Sequence, residues 1–299
     1  MKLIFSRILN PDRTPQDKFL TLVKIVQEKI KKSKRLRIMF KPKAPLFVGW
    51  GMTSMHALPW DLENSTDLTG LQFLKVDLDF LNKINLGEVY LGFGNDKEVN
   101  FSNLLNEHRW RHYIVFWSAK LAARNTNSQG PCNFVESGVW YGMSATYAIS
   151  ALENQMDKDS NYRIYLYDAW DSMKLEHLTT KESWAEGEYS YLSLDQTKTN
   201  LKEFKEHCEF IKGYIPEVFS ESPGPNKLSW LHIDLNSSMP TQKTLEQFVP
   251  KLLSGGIVLF DDYGHKGWSE TKKVADEFFT EKDGTLMPLP TGQAIFFKR

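Results

Sequence analysis

Three aspartates close two apolar runs. LSWLHIDL places Asp234 at its end, and GGIVLFDDY places Asp261 and Asp262 at its end. Ligands of parallel sheets bind outside the carboxyl ends of the strands, so acids from two adjacent strand ends should converge in one crevice. Crowded carboxylates repel, and a hard cation with oxygen ligands relieves the repulsion. Mg²⁺ is the natural candidate, because it keeps waters, accepts substrate oxygens and lowers the pKa of a bound hydroxyl. The architectural use of the same residues stays open: Asp261 or Asp262 could cap the helix or loop that follows.

A second chemical segment is FVESGVWYGMSATYAISALE, residues 134–153, where an apolar strand ends in an acid, two glycines follow, and a helix begins. Gly138 and Gly142 permit positive φ and close backbone approach. Glu136, at the strand end, can accept hydrogen bonds from a ligand amine. Ser144 is a candidate cap for the helix, whose first amides would face a ligand carboxylate. Such a turn suits an amino-acid-bearing nucleotide, although GxxxG after a strand is a weak motif. In the next strand, RIYLYDAWDSM puts Asp168 where an acid takes ribose hydroxyls, with Asp171 close enough to act as a cap instead.

These residues need a sheet to bring them together, and the chain supplies its elements in order. CNFVESG, RIYLYDAW, CEFIKGY, LSWLHIDL and GGIVLFDD read as strands. TYAISALENQM, TKTNLKEFKEH, TQKTLEQFVPKLL and SETKKVADEFF read as the helices between or after them. This alternation predicts an α/β fold with a doubly wound, mostly parallel sheet. GTLMPLPTGQAIFFKR, with Pro288, Pro290 and Gly292, predicts a closing antiparallel hairpin. Before the first strand, a helix from Glu107 should lay Trp110, Ile114, Trp117 and Leu121 against the sheet.

The first third is different in character, which places a boundary near residue 105: an N-terminal extension over 1–105 and an α/β domain over 106–299. Within the extension, Phe19, Leu22, Val23, Val26 and Ile30 predict a helix over Asp17 to Lys32. Eight Lys or Arg and no acids lie between Lys29 and Lys43, a patch for phosphate or simply a solvated helix end. Pro45 to Asp61 reads as a long packed loop, either an active-site cover, a dimer contact or a shield for a core edge. LGFGN, residues 91–95, reads as a turn.

Composition narrows the classes. The 37 basic and 37 acidic side chains cancel, so no overall field favours nucleic acid. The two cysteines, Cys132 and Cys208, have neither zinc nor disulfide-framework spacing and read as free buried thiols. No apolar stretch suggests a signal peptide or a membrane span of about 18 residues, which predicts a cytoplasmic protein.

FVESGVWYGMSA, DAWDSM, KGYIPEVF and above all HIDLNSSMPTQKTLEQFVPKLLSGGIVLFDDYG resemble the sugar O-methyltransferases typified by the macrocin and mycinamicin enzymes, over roughly residues 106–299. The resemblance implies a class I methyltransferase fold, S-adenosylmethionine as donor, Mg²⁺, and a sugar hydroxyl on a larger product as acceptor. It also implies that Glu136, Gly138 and Gly142 surround the donor, that Asp168 holds its ribose, and that Gly213 lies near its adenine. Asp234, Asp261 and Asp262 would be the metal ligands, and a homodimer is consistent with the family.

There are departures from that pattern. Where the family's strand continues as Asp-x-Asp-x-Tyr, Asn236 and Ser238 stand in the later two places. The stretch WAEGEYSYLSLD lacks the histidine that assists deprotonation in some members, so Asp234 is the candidate base, with His177 and His265 as substitutes. Two other classes compete. An NAD-dependent oxidoreductase would share the acid after strand two, but its first turn should read GxGxxG and this one reads GVWYG. A catalytically degenerate binding module on the same fold is motivated by Asn236, Ser238 and the basic patch.

Overall fold

The computed structural model describes residues 68–83, 101–155 and 161–299. Two helices come first, α1 (Leu68–Lys83) and α2 (Phe101–Thr126). Then follow β1 (Cys132–Ser137), α3 (Met143–Gln155), β2 (Tyr162–Asp168), α4 (Leu194–Asn200), β3 (Cys208–Lys212) and β4 (Leu228–Ile233). The chain closes with α5 (Ser238–Phe248), β5 (Leu252–Phe260), α6 (Ser269–Phe279), β6 (Gly284–Pro288) and β7 (Ala294–Lys298). The helix expected over residues 17–32, the loop over 45–61 and the turn over 91–95 lie outside the described residues.

One seven-stranded sheet has the order β3-β2-β1-β4-β5-β7-β6. The five strands β3, β2, β1, β4 and β5 pair in parallel, and β7 runs against both β5 and β6. The expected mostly parallel sheet with an antiparallel closing hairpin is therefore what the chain forms. Its topological switch falls between β1 and β4: from β1 the chain winds outward to β3, then returns to β4 beside β1. Loops leaving β1 and β4 in opposite directions open a crevice there.

The strands read as apolar runs because the sheet is covered on both faces. Alternation of side chains splits them into two cores. Phe134, Trp230, Ile257 and Leu259 face the side covered by α2 and α3. Val135, Leu231, Val258 and Phe260 face the other, with Phe248 of α5 and Phe279 of α6.

The packing of α2 differs from the sequence expectation. Trp110, Ile114, Trp117 and Leu121 are only partly buried, whereas Val115, Phe116, Ala119, Ala122 and Ala123 are fully covered. Alanines let the helix backbone approach neighbouring elements, which leaves the bulkier rings on its flank. α2 also supplies hydroxyls to β4: Trp230 Nε1 donates to Ser118 Oγ at 3.0 Å, and Thr126 Oγ1 donates to Ser229 Oγ at 2.7 Å. Two helices also end early. α4 stops at Asn200 and gives way to a short 3₁₀ turn, and α5 stops at Phe248 because Pro250 cannot continue it.

Cys132 is buried and Cys208 half-buried, and both are free thiols. Burial pushes Cys132 up to about 11 and Cys208 up to about 12. Alkylation by iodoacetamide at mildly alkaline pH should therefore be about a hundredfold or more slower in the folded protein than in urea, because only the thiolate reacts. Equal rates would show these thiols to be accessible. The linked stability is fully present below the ordinary thiol pKa and is lost as pH rises through the raised values.

Among the described residues, no helix is long and apolar enough to cross a membrane.

Candidate active site

The turn after β1 is built from its backbone. Gly138 N donates to Tyr167 O on β2 at 2.8 Å, and Asp234 N donates to Ser137 O at 2.8 Å, so the end of β1 is tied to both neighbours. Gly138 has φ +86° and would place a Cβ 1.9 Å from the Asp234 carbonyl oxygen. The glycine is thus required by contact between the turn and the strand that carries an acid. Gly142, with φ +84°, precedes α3, and its carbonyl accepts from Thr146 N at 3.0 Å. Gly142 therefore occupies the cap position, and Ser144, the candidate cap from the sequence, lies inside the first turn because the helix starts at Met143.

Asp168 ends β2, as expected, but its carboxylate is committed to backbone. Oδ2 accepts from Val139 N at 2.7 Å and Trp140 N at 3.0 Å, and Oδ1 accepts from Trp170 N at 2.7 Å. Burial raises its pKa against the pull of these amides. Trp140 and Trp170 both have positive φ, and Thr197 Oγ1 bridges them, donating to Trp140 O at 2.6 Å and accepting from Trp170 Nε1 at 2.9 Å. Asp168 so shapes the turn, while Asp171 stands exposed and accepts from Ser172 N at 2.7 Å. Gly213 follows β3, donates to Asp168 O at 2.9 Å, and would bring a Cβ to 2.8 Å from Val218.

Glu136 is fully buried on β1 and pairs with His232 Nδ1 on β4 at 3.0 Å. Its Oε2, the hydroxyl of Ser137 and the indole N–H of Trp140 are buried without a protein partner. Three orphaned polar atoms around one turn fit a ligand that brings its own donors and acceptors.

At the ends of β4 and β5, Asp234, Asp261 and Asp262 each offer an oxygen, all within 4.8 Å of one another. The chemistry of this all-carboxylate set fits a hard divalent cation, and Asp262 Oδ2 is buried without a partner. Burial and the neighbouring charges raise Asp234 and Asp262, whereas Asp261 is held far below the carboxylate range because Arg111 and His232 outweigh its burial.

Sequence reasoning missed both cations. Arg111, on α2, donates from Nε to Asp261 Oδ1 at 2.7 Å and from a terminal nitrogen to Asp234 Oδ2 at 2.6 Å and Asp261 Oδ2 at 2.5 Å. His232 Nε2 lies 3.8 Å from Asp261 Oδ1, so the ring stands between Glu136 of the turn and the acid cluster. Burial opposes its protonation, but these two carboxylates prevail and push it up to about 10. A histidine inside an apolar strand, two places before Asp234, was the available signal. Tyr189, another residue the sequence left unmarked, takes φ +65° and lies in the field of Asp234 and Asp262.

Of the two histidines proposed from sequence, His265 adjoins the cluster, its amide donating to the Asp262 carbonyl at 3.1 Å, and His177 makes its side-chain contacts with other residues. His177 Nε2 contacts Glu217 at 3.0 Å and its ring stacks on Tyr214, so its side chain is committed elsewhere. His265 is exposed, and its Nδ1 accepts from Gly267 N at 3.1 Å. Asn236 Nδ2 lies 3.5 Å from Asp234 Oδ1, while Ser238 opens α5, its amide donating to the buried Glu182 at 2.9 Å.

The strand order, the turn at the switch point and the acids beside it define the class I methyltransferase fold. Residues 135–263 match a family model described as a methyltransferase domain. A curated relative from Streptomyces olivaceus, an 8-demethyl-8-(2,3-dimethoxy-alpha-L-rhamnosyl)-tetracenomycin-C 4'-O-methyltransferase, is 25% identical over 142 residues. That match covers 44% of this chain and 53% of the relative, so the chain spans about half the length of the curated relative it matches. Among solved structures, the O-methyltransferase NovP superposes with a TM-score of 0.60 at 16% identity, covering 77% of this chain and 99% of that one. CalS11, a calicheamicin methyltransferase, superposes with a TM-score of 0.50 at 16% identity, covering 76% and 91%. At these identities the two structures establish the fold alone.

Proposed function

We propose that the chain transfers a methyl group from S-adenosylmethionine to a hydroxyl of a sugar-containing acceptor, with a divalent metal, Mg²⁺ in the first instance, at Asp234, Asp261 and Asp262. The observation that carries this reading is the placement of three convergent carboxylates beside a turn that bears unpartnered polar atoms. The rhamnosyl O-methyltransferase relative favours a sugar as the acceptor class.

In this reading the orphaned oxygens of Glu136 and Ser137 and the indole of Trp140 bind the donor, while Gly138, Gly142 and Gly213 keep the backbone low around it. Asp168, ordered by the three turn amides it accepts from, is the acid proposed for the ribose hydroxyls, and the exposed Asp171 is a cap for the residues that follow. The metal, when bound, makes an acceptor hydroxyl more acidic and orients it. Asp234 accepts the proton as the acceptor oxygen attacks the methyl carbon and the carbon–sulfur bond breaks. His177 and His265 are secondary candidates for that proton, and Tyr189, in the field of Asp234 and Asp262, would orient the acceptor. Alignment and exclusion of water then carry most of the rate. Residues 1–105 would cover the acceptor or form a dimer contact.

The test has two arms. S-adenosylhomocysteine should raise the melting temperature and NAD should not; stabilisation by NAD alone would return the chain to the oxidoreductase reading. Methyl transfer to a panel of sugars and nucleotide sugars should fall sharply in EDTA and return with Mg²⁺. Turnover undiminished by chelation would remove the metal from the mechanism, and donor binding without turnover on any acceptor would favour a binding module.

A further inference from the structure

The acid cluster already contains a cation of its own. Arg111 reaches across from α2 and grips Asp261 with two nitrogens, a bidentate fork, while one of those nitrogens also binds Asp234. The planar guanidinium is permanently charged and matches a carboxylate edge to edge. Its partners, Asp234 and Asp261, are two of the three residues suited to a divalent ion. Mg²⁺ demands oxygens at about 2.1 Å in octahedral array. Both oxygens of Asp261 and Oδ2 of Asp234 lie against the guanidinium at 2.5 to 2.7 Å, so an ion shared by this pair competes with Arg111 for the same oxygens. The third acid is different: Asp262 Oδ2 is buried and has no partner.

We infer that Arg111 and a divalent cation are alternative occupants of the Asp234–Asp261 pair, and that metal binding requires the guanidinium to withdraw. The inference rests on the metal site proposed above. Arg111 then has two effects. It holds the acids together in the metal-free protein, where they would otherwise repel. It also weakens metal binding by the free energy needed to displace it, so that the site fills only at high metal concentration or when a bound ligand draws Arg111 away. Gln293 supports the closed arrangement, since its Nε2 donates to Asp261 Oδ1 at 3.0 Å and lies 3.5 Å from the Arg111 carbonyl.

Titration of the full chain with Mn²⁺ by calorimetry, together with melting curves, separates the possibilities. Arg111→Gln should bind Mn²⁺ at least tenfold more tightly than the wild type. It should also melt lower without metal and gain more from Mn²⁺ than the wild type does. Arg111→Lys keeps the charge but loses the fork, so its affinity should fall between the two; this variant also serves if the glutamine protein does not fold. Mn²⁺ affinity equal to or weaker than wild type in a folded variant would overturn the competition while leaving the metal site standing. No Mn²⁺ binding by any of the three proteins would overturn both the competition and the metal part of the proposed function, and stabilisation by S-adenosylhomocysteine would still report on the donor site.

Discussion

Gly138→Ala should cost about 4 kcal/mol or more, enough to prevent a small domain from being recovered in folded form. The added methyl would lie 1.9 Å from the Asp234 carbonyl oxygen. That oxygen belongs to main chain and has no rotamer to escape into. Both sides are pinned, Gly138 by its bond to Tyr167 O and Asp234 by its bond to Ser137 O. The backbone at φ +86° adds the left-handed penalty of about 1 kcal/mol. Gly187→Ala and Gly292→Ala are the controls, because both positions have positive φ yet a Cβ there meets nothing within 4 Å. Thermal melts should show a small loss in the controls and a large loss, or no soluble protein, for Gly138→Ala. A melting temperature near that of the wild type would mean that the turn can move away from β4, and the packing described for the switch point would be wrong.

Asp261→Asn should have the largest effect at the acid cluster, about 3 kcal/mol in stability and, on the proposed reaction, about a hundredfold or more in turnover. Asp261 receives two nitrogens from Arg111 and one from Gln293, with His232 at 3.8 Å. The amide keeps the shape but removes the charge that faces the partly buried Arg111 and the buried His232. Arg111 and His232 would then be left with fewer counter-charges. The pH dependence has a definite sign. Burial resists ionisation of Asp261, but Arg111 overcomes it, so its folded pKa is depressed. The stability it contributes is present above the ordinary carboxylate value of about 4 and is lost as pH falls through the folded value. Urea melts should therefore show a constant gap between wild type and variant at neutral pH, and the gap should close only in strong acid. A gap that vanished already near neutrality would rule out Asp261 as the group that neutralises Arg111.

Much of the architecture was determined by the sequence alone. Apolar runs of strand length, four of the five followed by a helix, identified five parallel strands and the closing hairpin, because a sheet covered on both faces has no polar side to blur the pattern. The same runs marked the positions of Asp168, Asp234, Asp261 and Asp262, since an acid at the end of an apolar run stands out locally. Which face of α2 meets the sheet was not legible. Trp110 and Trp117 are the larger apolar residues, but closeness of approach favours Ala119, Ala122 and Ala123. Nor could local pattern show that Asp168 spends its oxygens on the amides of the first turn, or that Gly142 and not Ser144 precedes α3.

Arg111 makes the same point most clearly. It stands in sequence as one basic residue of a helix, 123 and 150 positions from the acids it binds. His232 likewise reads as an interruption of an apolar strand until β1 and β4 pair and bring Glu136 to its ring. Composition and periodicity report what each segment buries. The charges that meet in the crevice were decided by the tertiary structure, because Coulombic and hydrogen-bonded pairing depends on separation in space and leaves no period in the chain.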